Sequence, residues 1–274
     1  MELAFSSNAY KRHPLEEAVA SIAALGYAGV EVMADRPHAY PPDMTGGRTE
    51  ALNRLIADAG LAVSNVNAFT LFAIGDTYHP SWIEDDASAR ARRVAHTNNA
   101  IALARDLGAS TVSIEPGGPL EGVDRSLAPA RFRDGLEQVL PAAESAGVIV
   151  CIEPEPALMI ETTQEYFEFV ADFASGHLRM NLDLGHLFCV GEDPADAIVR
   201  LAGEYAHVHL EDIAASRVHQ HRVPGTGAMD FDAIFAAFDK AGYDGWVTVE
   251  LYPYESTAEA TARQARQFLQ RYGF

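Results

Sequence analysis

The sequence predicts a (β/α)8 barrel, an eight-stranded parallel TIM barrel with outer helices, built as one domain over residues 1–274. Three observations predict it. Eight short β-branched runs recur along the chain, longer stretches between them carry apolar residues at helical spacing, and 274 residues is the usual length of one such barrel. No Pro/Ser-rich hinge or charge block divides the chain, so one domain is the economical reading.

In chain order the strand-like runs are 3–7, 29–33, 62–66, 111–115, 148–153, 179–184, 207–210 and 246–251. Helical spacing is clear in Leu15, Val19, Ile22 and Leu25, and again in Ile234, Phe235, Phe238 and Ala241. Three helix-to-strand passages share one form: LGYAGVEV (25–32), AGVIVCIE (146–153) and AGYDGWVTVE (241–250). In each, a glycine can serve as the left-handed cap of the helix before the next strand begins. Strands alternating with helices imply a parallel sheet, and the count of eight implies closure. An open doubly wound sheet is the competing architecture, but no GxGxxG follows the first run, which removes the main support for a dinucleotide fold.

A formal net charge of −19 would repel a polyanion, so nucleic acid is disfavoured as a partner. Cys151 and Cys189 are too few for a disulfide framework and read as free thiols. The chain has no apolar stretch near ~20 residues, and MELAFSSNAY lacks a basic region followed by an apolar run. A cytoplasmic protein with no membrane segment is therefore expected. The aromatics of AFTLF (68–72), with Tyr252 and Tyr254, would either wall a pocket or form a subunit contact, which leaves a homo-oligomer open.

The active face of a parallel barrel lies at the C-terminal ends of its strands. Four apolar runs close on a polar residue: Glu153 in VIVCIEP, Asp183 in MNLDLGH, His209 in HVHLED and Glu250 in VTVEL. A carboxylate among aliphatic side chains must be paired, protonated or bound to a cation. Each alone could be capped by an arginine or by helix amides. Three converging on one pole would repel one another, and one divalent ion resolves this. Three oxygen-donor residues and one imidazole suit Mn2+ first, then Mg2+, Co2+ or Zn2+.

His186 follows in DLGH, where it would contact substrate or metal, or else cap the helix. His207 shares a strand face with His209 at another depth and reads as a buried layer residue. The loop HQHRVPGTG (219–227) presents His219, His221 and Arg222 as a site wall. Glu115 in TVSIEPGG, Glu31 in GVEV, and Asn65 and Asn67 in VSNVNAF would orient substrate or ligands, with Glu115 and Asn67 placed among the substrate-binding candidates. Of Glu155 and Glu161, one would bond a substrate hydroxyl and the other would cap the helix starting near 162–163.

On IEPE (152–155), LDLGH (182–186), HVHLED (207–212), VPGTG (223–227) and GYDGWVTVEL (242–251), the chain resembles the xylose-isomerase-like barrel superfamily. That group includes sugar isomerases and epimerases, inosose dehydratases, hydroxypyruvate isomerases and endonuclease IV. Similarity to the ketose 3-epimerases implies Glu153, Asp183, His209 and Glu250 as metal ligands and His186 as a substrate-binding residue. His221 stands where those enzymes place an arginine. A histidine there is similar to endonuclease IV, whose D-x-H ahead of a glycine turn binds an additional zinc with the histidine after the sixth strand. Here the D is His219, and a second metal at His186, His219 and His221 is left open.

The resemblance implies a metal-dependent isomerase or epimerase of a small keto sugar or related polyhydroxy carbonyl compound. Glu153 and Glu250 would exchange protons through an enediolate intermediate. Elimination by an inosose dehydratase-type or C-glycoside-cleaving lyase is the alternative. Less favoured are endonuclease IV-like phosphodiester hydrolysis, which the acidic balance opposes, and a non-catalytic metabolite-binding subunit. No Arg/Lys cluster marks a phosphate site, so a non-phosphorylated sugar-like substrate is expected.

Overall fold

Each of the eight β-branched runs forms a strand in the computed structural model, which describes residues 1–274. The strands are β1 (Glu2–Ser6), β2 (Gly29–Met33), β3 (Ala62–Asn67), β4 (Thr111–Ile114), β5 (Ile149–Ile152), β6 (Leu178–Asp183), β7 (Tyr205–Leu210) and β8 (Trp246–Val249). Neighbours in sequence are neighbours in the sheet, and β8 returns to β1 through parallel pairs such as Leu3 with Val247. The sheet is therefore a closed barrel, and the doubly wound alternative is excluded.

The helices are α1 (Leu15–Ala24), α2 (Gly46–Asp58), α3 (Ala87–Leu107), α4 (Ala128–Ala146), α5 (Thr163–Val170), α6 (Leu184–Val190), α7 (Pro194–Arg200), α8 (Phe231–Ala241) and α9 (Ala258–Leu269). Their apolar faces cover the barrel. Leu15, Val19 and Ile22 of α1 and Ile234, Phe235 and Phe238 of α8 are all buried. Gly26, Gly147 and Gly242 adopt φ of +80°, +68° and +64°, the left-handed conformation expected of the three helix-to-strand hinges.

Two boundaries matter for the site. β5 ends at Ile152 and β8 at Val249, one residue before Glu153 and Glu250. Each of those glutamates still donates its backbone N–H to the neighbouring strand, Glu153 to Ile114 O at 3.1 Å and Glu250 to Leu210 O at 3.2 Å. Both side chains are thus fixed at the barrel rim. The cap of α5 differs from expectation: Thr162 and Glu165 form a reciprocal capping box, while Glu161 accepts from Ala157 N at 3.0 Å within the preceding loop. Cys151 is buried, Cys189 half-buried, and both are free thiols. No helix is long and apolar enough to cross a membrane.

Candidate metal centre

Four strands deliver the candidate ligands. Asp183 closes β6 and also caps α6, its side chain accepting from His186 N at 2.7 Å. His209 lies in β7, and Glu153 and Glu250 stand just past β5 and β8. Donor atoms of all four lie within 4.8 Å of one another. His209 Nδ1 is 2.8 Å from Glu153 Oε1 and 3.8 Å from both Asp183 Oδ2 and Glu250 Oε1. All four residues are buried.

The charge balance fits a divalent cation. No arginine or lysine pairs with any of the three carboxylates; their cationic partners are histidines alone, and beside Asp183 stands a further carboxyl, Glu211. Asp183 Oδ2 is buried with no hydrogen-bond partner, the kind of orphan that a bound ion satisfies. Burial pushes Glu153 up to about 6 and Glu250 up to about 8, with His209 opposing the rise in both. Burial acts the same way on Asp183, but the imidazoles of His186, His221 and His209 outweigh it and hold that carboxyl below its ordinary range. The Glu153, Glu31 and Glu250 charges outweigh burial at His209 and raise its pKa.

Behind His209 stands Glu31, also buried. His209 Nε2 donates to Glu31 Oε2 at 2.7 Å, which leaves Nδ1 facing the carboxylates; a carboxylate on the far nitrogen is the usual support of a metal-bound imidazole. Ser6 Oγ at 2.6 Å, Asn65 Nδ2 at 2.8 Å and Asn67 Nδ2 at 3.3 Å also donate to Glu31. Burial raises the pKa of Glu31, yet His209 and His207 bring it well below the ordinary value. His207 is fully buried with Nε2 3.4 Å from Glu31, a layer residue inside the barrel.

A cavity of about 180 Å3 opens onto this cluster, lined among others by Glu153, Glu250, His186, His219, Asn67 and Asn8. Phe69, Phe72, Tyr78, Tyr252 and Lys11 are also part of its wall, so the aromatics of 68–72 and Tyr252 face the pocket. Three substrate-binding candidates lie elsewhere. Glu115 is sealed against Arg93 at 3.4 Å, both fully buried, because Arg93 is needed there to hold Pro80 O, Ala68 O and Phe69 O. Arg222 turns away to Thr226 O at 3.4 Å. His221 is fully buried behind the cavity wall, its Nδ1 donating to Glu250 O at 3.0 Å.

The sequence reading passed over several residues that shape the site. Asn8, just after β1, donates to Glu250 Oε1 at 2.7 Å. Tyr78 donates to Glu155 Oε1 at 2.9 Å on the cavity wall. Asp212 folds the loop after β7 by accepting from Ile213 N, Gly225 N, Gly227 N and Met229 N, and a bridge between Asp212 and Arg222 carries His219 and His221 back over the barrel. Glu211 lies buried beneath Gly185, and burial together with the Asp183 charge pushes its carboxyl well up. Only the acidic pair in HVHLED hinted at the last two.

The model of one protein family, described as xylose isomerase-like TIM barrel, matches residues 19–272. The chain belongs to this family. Among its relatives, a Streptomyces coelicolor protein provisionally named a hydroxypyruvate isomerase is 28% identical over 249 residues, covering 88% of this chain and 86% of the relative. An inosose dehydratase of Clostridium beijerinckii is 24% identical, covering 88% and 83%. A fructoselysine 3-epimerase of Shigella flexneri is 23% identical, covering 93% and 92%. Solved structures of a D-tagatose 3-epimerase-like protein (TM-score 0.83, 20% identity, covering 99% and 97%) and of the IOLI protein with a zinc atom (TM-score 0.80, 18% identity, covering 99% and 98%) share the fold. The family-level likeness thus runs to sugar epimerases, an isomerase and a dehydratase.

Proposed function

We propose that the chain is a divalent-metal-dependent isomerase or epimerase acting on a small, non-phosphorylated keto sugar or related polyhydroxy carbonyl compound. The observation that carries this reading is the pair Glu153 and Glu250, two buried carboxyls from different strands that both line the cavity and both approach His209 Nδ1. Glu153, Asp183, His209 and Glu250 would hold the ion, with Mn2+ the first choice and Mg2+, Co2+ or Zn2+ compatible with the same donors. An ion held there would supply Lewis-acid polarisation of a carbonyl, which acidifies the C–H of the adjacent hydroxyl-bearing carbon.

The chain's own groups do the rest. One glutamate takes the C–H proton to give an enediolate, and the other returns a proton to complete isomerisation or epimerisation. Asn8 and Asn67 fix Glu250 Oε1 at 2.7 and 3.3 Å, and His209 fixes Glu153. His186 and the Tyr78–Glu155 pair present polar groups to substrate hydroxyls, while Phe69, Phe72 and Tyr252 keep water from the reacting carbon. The likeness to epimerases and to an isomerase supports the same chemistry.

With a panel of unphosphorylated ketoses in D2O, the wild-type chain exchanges a substrate C–H for deuterium and yields a product of otherwise unchanged mass. Glu153→Gln and Glu250→Gln each lower that exchange by about 10²–10⁴-fold. Undiminished exchange in both variants would remove these residues from proton transfer. A dehydratase is the second reading, favoured by Glu155 at the cavity wall, whose carboxyl is held well above its ordinary range by burial and so can give a proton to a departing hydroxide. Loss of water from the product identifies it.

A further inference from the structure

Lys11 is the only lysine or arginine among the residues that line the cavity, and the isomerase reading leaves it without a role. It caps, in helical conformation, a 3-10 helix of residues Ser7–Tyr10 that begins directly after β1. In such a helix residues three apart eclipse one another, and each residue advances by about 2.0 Å. Asn8, which donates to Glu250 Oε1 at 2.7 Å, therefore shares a face with Lys11, about 6 Å along the axis from it. One face of this short helix carries a contact to the metal pole and, at its other end, a cation.

The ammonium is held in place. Lys11 Nζ lies 5.4 Å from the ring centroid of Phe72 and 5.9 Å from that of Tyr252, within the range of a cation–π contact, and both rings line the cavity. It is also 2.9 Å from Glu255 Oε1, and its side chain is 19% exposed. Phe72 is fixed in turn, its backbone N–H donating to the buried Asp35 at 2.5 Å. A long side chain that has already lost its freedom to these partners gives up little more on meeting a ligand.

Charge at this rim is not balanced. Glu255 Oε2 also accepts from Arg12 Nε at 3.3 Å, so one carboxylate serves two cations and the group keeps an excess positive charge, in a chain whose net charge is −19. An ammonium has three donors, and Glu255 is the only acidic partner of Lys11. The other charged groups of the wall, Glu153, Glu155 and Glu250, are carboxyls. An anionic group on a ligand is therefore drawn to Lys11 and kept from the glutamates, which turns the ligand's other end toward the metal pole. A phosphate brings close to two charges and three acceptor oxygens, whereas one ammonium shared with Glu255 matches the single charge of a carboxylate.

We infer that Lys11, held by Phe72, Tyr252 and Glu255, determines specificity by binding the carboxylate of a keto-sugar acid, at the end of the carbon chain remote from the reacting carbonyl. The spacing between Asn8 and Lys11 asks for several carbons between the two groups, so a three-carbon keto acid is too short. The inference rests on the keto-sugar reading for what lies at the metal pole; the pull of Lys11 on a carboxylate does not.

The test is calorimetric titration of the full chain, with Mn2+ present, by three hexuloses that differ only at the terminal carbon remote from the ketone: D-fructuronate, D-fructose and D-fructose 6-phosphate. The wild type is expected to bind D-fructuronate about tenfold more tightly than D-fructose, the size of one charge-assisted contact, and more tightly than the 6-phosphate. Lys11→Met, which keeps an unbranched side chain against both rings, should bring D-fructuronate and D-fructose to parity. Glu255→Gln, which releases the ammonium, should widen the gap. Equal binding of the two in the wild type, a preference kept in Lys11→Met, or tightest binding of the 6-phosphate overturns the proposal and leaves the isomerase reading standing. If none of the three binds, the keto-sugar reading fails instead, and Lys11 is then read directly. The chain has two lysines, Lys11 and Lys240, so lysine labelled with 13C at Cε gives two NMR signals, which Lys240→Arg assigns. With Mg2+ replacing the paramagnetic Mn2+, D-gluconate, which has the carboxylate but no ketone, should move the Lys11 signal where uncharged D-glucitol does not. No difference between these two overturns the proposal.

Discussion

His96 on α3 shows what burial does to a residue outside the site. It is 4% exposed, stacked on Tyr40 at 6.1 Å, and neither ring nitrogen has a protein partner. Burial, with the Arg93 charge beside it, pushes its pKa down to about 3. The unfolded chain takes up this proton near the ordinary value of ~6.5, while the folded chain refuses it until far lower pH. Stability from this group is therefore complete above pH ~6.5 and is lost as pH falls, on the order of 2 kcal/mol by pH 5. His96→Leu should remove that part of the acid slope in urea melts between pH 7 and 5. An unchanged slope would show that other groups carry it. At this scale the four candidate ligands were readable because a charged residue closing an aliphatic run is conspicuous. His96 was not, because nothing near it in sequence announces that both its nitrogens will be sealed.

At the scale of elements, helix endings and strand cores were the most legible features. Glycine after an amphipathic stretch has a specific conformational meaning, and Gly147 and Gly242 cap α4 and α8 with positive φ. A Cβ at Gly147 would meet no atom within 4 Å, so the cost of Gly147→Ala is conformational alone. It should destabilise the chain by about 1 kcal/mol, lowering the urea midpoint with the slope unchanged. Gly185 differs, because a Cβ there would collide with Glu211 Oε1, a contact between α6 and the residue that follows β7 that no local pattern reveals. The loop after β7 was similarly opaque. Its polar composition suggested a site wall, but Asp212 decides which side chains turn inward, and it sends Arg222 outward.

For the whole molecule, the proposed ion at Glu153, Asp183 and Glu250 predicts a folded state that depends on a cation. Without it the three buried carboxylates have histidines as their only cationic partners. An ion present at about 100 times its Kd adds about 2.7 kcal/mol to stability. For a chain of this size that corresponds to roughly 5–10 °C in melting temperature. Thermal denaturation with and without a chelator, and after re-addition of Mn2+ or Zn2+, measures it. No shift on chelation would mean that the cluster is neutralised by protons instead.

The sequence alone determined the barrel, its eight strands and the four strand-end residues, because period, length and a polar terminus on an apolar run are local properties of the chain. Only the tertiary structure decided which residues serve that site. Asn8 reaches Glu250 across 242 positions, and Glu31 reaches His209 across 178, contacts that exist because β1 closes the sheet against β8 and brings both ends of the chain around one barrel interior. Packing between neighbouring elements brought the nitrogens of His186, His219 and His221 into one cluster after β6 and β7, and sealed Glu115 after β4 against Arg93 of α3. Side-chain direction and distance across a closed barrel follow from strand register and loop anchoring, and neither is encoded in any single stretch of sequence.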